Sequence, residues 1–187
     1  MSMATRRRIL GIAVAVAVAA LFVVPAANAA PDDVRTYRVT VTNLTAGQPL
    51  TPVLFATHRS NVDVFMVGSP ASFGVKEIAE NGNLAPLAEA LGAATGVSQV
   101  FQGGMPIVPA GTPGSATFPD SVAFEISGDR GTRSLSWVSM LICTNDGFTG
   151  LDSVGLPRHV GDSVTVGTAG YDAGTELNTE DFADITK

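Results

Sequence analysis

Apolar and polar residues alternate over 37–43, with Tyr37, Val39 and Val41 on one side and Arg38, Thr40 and Thr42 on the other. A period of two predicts a half-buried strand there. Gln48-Pro49 then turns the chain. Residues 53–56 and 62–67 are further short apolar stretches, and Pro52 predicts that the first begins at a sheet edge. Residues 122–126, 135–143 and 163–166 complete the strand-like set. Between them, 73–79 and 84–91 have helical spacing, ended by Asn81-Gly82 and Gly92, with Asn83 as N-cap and Pro86 in a first turn. The Gly/Pro-rich stretch 103–114 predicts a surface loop. Short strands separated by turn residues, with no repeat, predict one all-β domain. Its expected form is an antiparallel β-sandwich with two short inserted helices.

The start of the chain follows another logic. Arg6, Arg7 and Arg8 precede an uncharged apolar run over 9–24, Pro25 breaks it, and Ala27-Asn28-Ala29 offers small residues for cleavage. This predicts an export signal over 1–29, cut before Ala30. An extension (30–36), the domain (37–184) and a short tail (185–187) follow. The run is shorter than the roughly 20 apolar residues of a membrane span, and Thr5 to Leu10 fits twin-arginine and general secretory signals alike. The expected location is secreted, periplasmic or cell-surface.

Charge narrows the partners. The chain carries a formal net charge of −6, and removing three arginines without an acid makes the remainder more acidic. Few, scattered basic residues argue against nucleic acid as a partner, whereas a divalent cation suits the balance. The single cysteine, Cys143, cannot form an internal disulfide and is expected as a small buried hydrophobe at the end of its strand. A monomer is expected.

Candidate oxygen ligands concentrate late in the chain, in Asn145-Asp146-Gly147-Phe148-Thr149-Gly150-Leu151-Asp152, Tyr171-Asp172-Ala173-Gly174-Thr175-Glu176 and Glu180-Asp181. Both leading segments follow predicted strands, so one end of a sandwich can bring them together. The small residues between Asp172 and Glu176 let the backbone turn so that both carboxylates meet one hard cation. The competing reading is that Asp and Gly simply build turns, with nothing bound. The linear calcium-loop pattern is absent.

Three separated motifs carry a family resemblance: Tyr37 to Thr45 with Gln48-Pro49-Leu50-Thr51-Pro52, Ser139 to Asp152, and Tyr171 to Glu176. In this order they resemble the spondin N-terminal domain family over about 37–184. The resemblance implies a β-sandwich like calcium-dependent membrane-targeting domains. It also implies one Ca2+ held by Asp146, Asp172 and Glu176, and a binding or adhesion role toward an extracellular protein, glycan or membrane surface. Cys143-Thr144-Asn145-Asp146-Gly147 keeps the family's aspartate but lacks the prolines and tryptophan of the animal proteins, and Glu176 stands where they have aspartate. Three gathered carboxylates should repel one another and strain the ion-free domain.

The alternatives are a metal-free structural domain and a secreted hydrolase. His58 and His159 are the only histidines, and no Gly-x-Ser-x-Gly elbow accompanies them. Both are expected as surface or capping residues, and no catalytic residue is assigned. Trp137 and Phe148 are expected in the core. Asn43-Leu44-Thr45 matches a glycosylation acceptor by spacing.

Overall fold

The computed structural model describes residues 34–179 together with Asp181, Ala183 and Ile185. The export segment 1–29, Glu180 and the domain end at Asp184 lie outside the described residues. The elements are β1 (Arg35–Thr42), β2 (Leu54–His58), α1 (Phe73–Asn81), α2 (Ala85–Ala93), β3 (Val97–Gln102), β4 (Ser121–Gly128), β5 (Ser134–Met140), β6 (Gly147–Gly155) and β7 (Gly170–Asp172).

A five-stranded sheet runs β3-β2-β5-β6-β7, and a two-stranded sheet pairs β1 with β4. All pairings are antiparallel. Side chains alternate across a strand, so the large sheet presents two apolar faces. Phe55, Leu135 and Trp137 pack toward Val41 and Ile126 of the small sheet, with Tyr37, Val39 and Phe124 beside them. Leu54, Ala56, Val138, Met140 and Phe148 pack toward Val75, Ile78, Leu87 and Leu91 of the two helices. The architecture is therefore a sandwich of unequal sheets, with the helices on the outer face of the larger one. Trp137 and Phe148 are core residues, at 5% exposure each.

The helices sit where apolar spacing puts them. Ser72 caps α1 by accepting from the Val75 N–H at 3.3 Å, and Gly82 closes it at φ 64° with its N–H on the Glu77 and Ile78 carbonyls. Leu84, rather than Asn83, is the N-cap of α2, and Asn83 Oδ1 accepts from the Ala85 N–H at 3.3 Å. Gly74 lets the helices touch, since a Cβ there would lie 2.8 Å from the Leu87 Cα.

Several expectations are corrected. Residues 62–67 form no strand, because side chains of β6 take their backbone groups: Asp152 Oδ1 accepts from the Val64 N–H and Ser153 Oγ donates to the Val62 carbonyl. Residues 163–166 also form no strand. They belong to the connection from β6 to β7, and among the described residues no sheet edge pairs with them, so Val164 and Val166 stay 56% and 44% exposed. β2 is not an edge strand, being flanked by β3 and β5. Cys143 is exposed, because β5 ends at Met140 and the chain turns before reaching it. The stretch 103–114 is not all surface: Ile107 is fully buried and bridges to Leu50. Asn43 is 6% exposed, and its amide donates to the Gln48 and Ile107 carbonyls, so the glycosylation match is a structural asparagine.

Candidate metal site

The site begins where β5 hands over to β6. Thr144 folds the connection into a tight turn, its hydroxyl donating to the Leu141 carbonyl at 2.6 Å and accepting from the Gly147 N–H at 2.9 Å. A Cβ at Gly147 would lie 2.4 Å from that hydroxyl oxygen, so glycine is required. This turn delivers Asp146 to the start of β6. β7 pairs there, with Gly147 opposite Asp172 and the Asp146 carbonyl accepting from the Ala173 N–H at 3.1 Å. The two aspartates thus come from adjacent strand ends.

Asp146 is 1% exposed. Its Oδ2 accepts from the main-chain N–H groups of Thr175 and Glu176 at 2.8 and 3.0 Å. Asp172 is exposed, and its Oδ1 and Oδ2 accept from the Gly174 N–H at 2.6 Å and the Asn178 amide at 2.8 Å. The Asn178 hydrogen bond, then the Gly174 N–H, hold the Asp172 carboxyl below its ordinary value. Donors therefore set the direction for Asp172.

Asp146 and Asp172 line one small cavity of about 210 Å3, together with Thr144, Asn145 and Asn178. Glu176 joins the site through its main chain. Its side chain does not line the cavity, and its charge helps raise the Lys76 ammonium above its ordinary value, behind the larger effect of the Lys76–Glu80 hydrogen bond. The loop carrying Thr175 and Glu176 thus sits beside α1.

Carboxylate, amide and hydroxyl oxygens are the kinds of donor that Ca2+ takes. In number they are few. Among the described residues no three His, Cys, Asp or Glu side chains are grouped for one ion, so the cavity's own acids supply two carboxylates. The remaining six-to-eight-fold shell of such an ion would come from amide, hydroxyl or main-chain oxygens and water.

Nearer the middle of the sheet, His58 is fully buried, so of its expected surface or capping positions the surface one is corrected. Its Nδ1 lies 2.8 Å from the Arg59 carbonyl and its Nε2 2.7 Å from Ser136 Oγ, which is 3.0 Å from Asp152 Oδ1. These are the residue types of a hydrolytic triad in another order, with serine rather than histidine in the centre. Ser136 is 1% exposed and lines neither the small cavity nor the larger one along β1. The network instead ties β2, β5 and β6 to the segment at Val64. Sequence spacing gave no sign of it, since 78 positions separate His58 from Ser136. His159 is exposed and touches Asp162 at 3.0 Å.

The family description Spondin_N matches residues 43–181, which contain the site and every strand except β1. The chain belongs to the spondin N-terminal domain family. No curated protein matches it. Membership in the spondin family fits an extracellular module of the binding or adhesion type. No helix among the described residues is long and apolar enough to cross a membrane.

Proposed function

We propose that this spondin domain is exported and works outside the cytoplasm as a calcium-binding module for binding or adhesion. The observation that carries the metal reading is the shared cavity of Asp146 and Asp172 at adjacent strand ends, with Asn145, Asn178 and Thr144 beside them. Glu176, tied by its own N–H to Asp146, is the third candidate ligand. Two carboxylates with neutral oxygens suit a weak site, in the range of about 0.1 to 1 mM known for extracellular modules. Export is supported by the basic start and apolar run before Ala30. No catalytic role is assigned.

Calorimetric titration of CaCl2 into the exported protein tests the metal reading, with Asp172→Asn as the comparison because that side chain is exposed and its loss leaves the core intact. Saturable binding by the wild type, weakened in the variant, is the expected result. A flat titration of the wild type through several millimolar would leave a metal-free structural domain.

A further inference from the structure

The small sheet has only two strands, so one edge of β1 has no neighbouring strand among the described residues. Asn43 donates its N–H to the Asp120 carbonyl at 2.8 Å. Bonded and non-bonded pairs alternate in an antiparallel ladder, so Tyr37, Val39 and Val41 exchange bonds with β4. Thr36, Arg38, Thr40 and Thr42 therefore turn their N–H and C=O groups to the open edge. A cavity of about 1050 Å3 runs along that edge, lined by every residue of β1. Its apolar wall includes Leu135, Trp137 and Leu151, and the connection from β6 to β7 forms its far rim. The Tyr37 hydroxyl is buried there with no hydrogen-bond partner among the described residues.

A row of main-chain donors and acceptors above an apolar wall matches an extended peptide better than a compact ligand. Such an edge is satisfied by another strand, with pockets taking alternate side chains. Charge narrows the occupant further. The lining carries two arginines, Arg35 and Arg38, against one acid, Asp162, which lies 3.0 Å from the His159 ring, and the Arg35 guanidinium donates to the Arg158 carbonyl. Arg38 is exposed on the strand that lines the groove, with Glu125 opposite it on β4. A cationic groove on a chain of net charge −6 favours an acidic partner over a second copy of the same acidic chain.

We propose that the open edge of β1 is a docking groove for an extended segment of a partner protein. The segment adds a third strand to the small sheet, sets apolar side chains against Trp137 and Leu151, and carries an acidic side chain beside Arg38. The groove meets the metal cavity only at Leu141 and Gly170, which line both, and its occupancy does not depend on calcium.

The test uses the exported full chain and a fluorescein-labelled peptide, Thr-Val-Glu-Val-Thr-Val-Thr, followed by anisotropy with and without chelator. Saturable binding in both buffers is expected. N-methylation at alternate amides should weaken it about tenfold or more, because the edge hydrogen bonds are lost. Lysine in place of the peptide's glutamate should weaken it about fivefold, and Arg38→Glu should reverse that preference. Thr40→Pro removes an N–H that faces the groove, not β4, and should abolish binding. If Thr40→Pro fails to fold, the N-methylated peptide and Arg38→Glu still decide the matter. The proposal is overturned by absence of saturable binding, or by equal binding of the N-methylated peptide. It is equally overturned if the free protein self-associates through this edge, read as dimerisation that Thr40→Pro abolishes.

Discussion

Glu176 donates its main-chain N–H to the Asp146 carboxylate across 3.0 Å, and Thr175 does the same at 2.8 Å. One candidate ligand therefore anchors the loop that carries another. Asp146 does two jobs on this account, one structural and one toward the ion. The structural job predicts that Asp146→Asn lowers the stability of the calcium-free domain by about 1–2 kcal/mol, because hydrogen bonds to a charged acceptor are the stronger ones. Urea denaturation in chelator measures it. Equal or higher stability of the variant would mean that repulsion, rather than anchoring, dominates the ion-free site.

Asp172 gives a pH signature. Its carboxyl is held low by Asn178 and then by the Gly174 N–H. The stabilisation is fully present above the unfolded carboxyl value of about 3.9 and disappears as pH falls through the lower folded value. Asn178→Ala should raise the folded value of Asp172 toward the ordinary one, read by NMR titration of the side-chain carboxyl. The stability of that variant should also fall less steeply with acidification than that of the wild type.

The two histidines should behave oppositely. His58→Ala removes a fully buried ring with partners on both nitrogens and leaves Ser136 short of one. A loss on the order of 2–4 kcal/mol is expected in thermal or chemical unfolding. His159→Ala, at an exposed site, should stay within about 0.5 kcal/mol of the wild type. Similar small losses for both would contradict the buried network.

Much of the fold was legible where one side chain period dominates. The alternation of Tyr37, Val39 and Val41 gave β1, and the spacing of Val75, Ile78, Leu87 and Leu91 gave the helices. β6 was hidden because its Gly147-Phe148-Thr149-Gly150-Leu151-Asp152-Ser153-Val154-Gly155 run is rich in residues that strands disfavour. Gly147 and Gly150 answer to neighbours that sequence does not show: a Cβ at Gly150 would lie 2.2 Å from the Trp137 carbonyl oxygen. Conversely, residues 163–166 have the strand pattern but no edge to pair with among the described residues. At the site, Asp146 and Asp172 are expected together because each follows a predicted strand, but the strand expected at 163–166 is absent and their adjacency comes from the pairing of β7 with the start of β6. The capture of Asp146 by main-chain amides was not legible, because no side chain pattern encodes it.

Gly150 supplies a packing test. Gly150→Ala would force β6 away from β5 at the Val138–Gly150 pair, and a loss of about 3 kcal/mol or more is expected. Gly155→Ala, on the same strand with open space around it, should cost far less. Comparable melting of the two variants would contradict the close approach of Trp137 to Gly150.

The calcium dependence of thermal unfolding decides whether Asp146 and Asp172 hold an ion. Melts of the exported wild type would be recorded in chelator and in roughly 2 mM free Ca2+, with Mg2+ at the same concentration as a control. With a dissociation constant of about 0.1 to 1 mM, mass action stabilises the fold by about 0.6 to 1.8 kcal/mol. The melting temperature should rise by a few degrees in Ca2+, and most of that rise should be lost in Asp172→Asn. Identical wild-type melts in chelator and Ca2+ would contradict an ion site formed by Asp146 and Asp172.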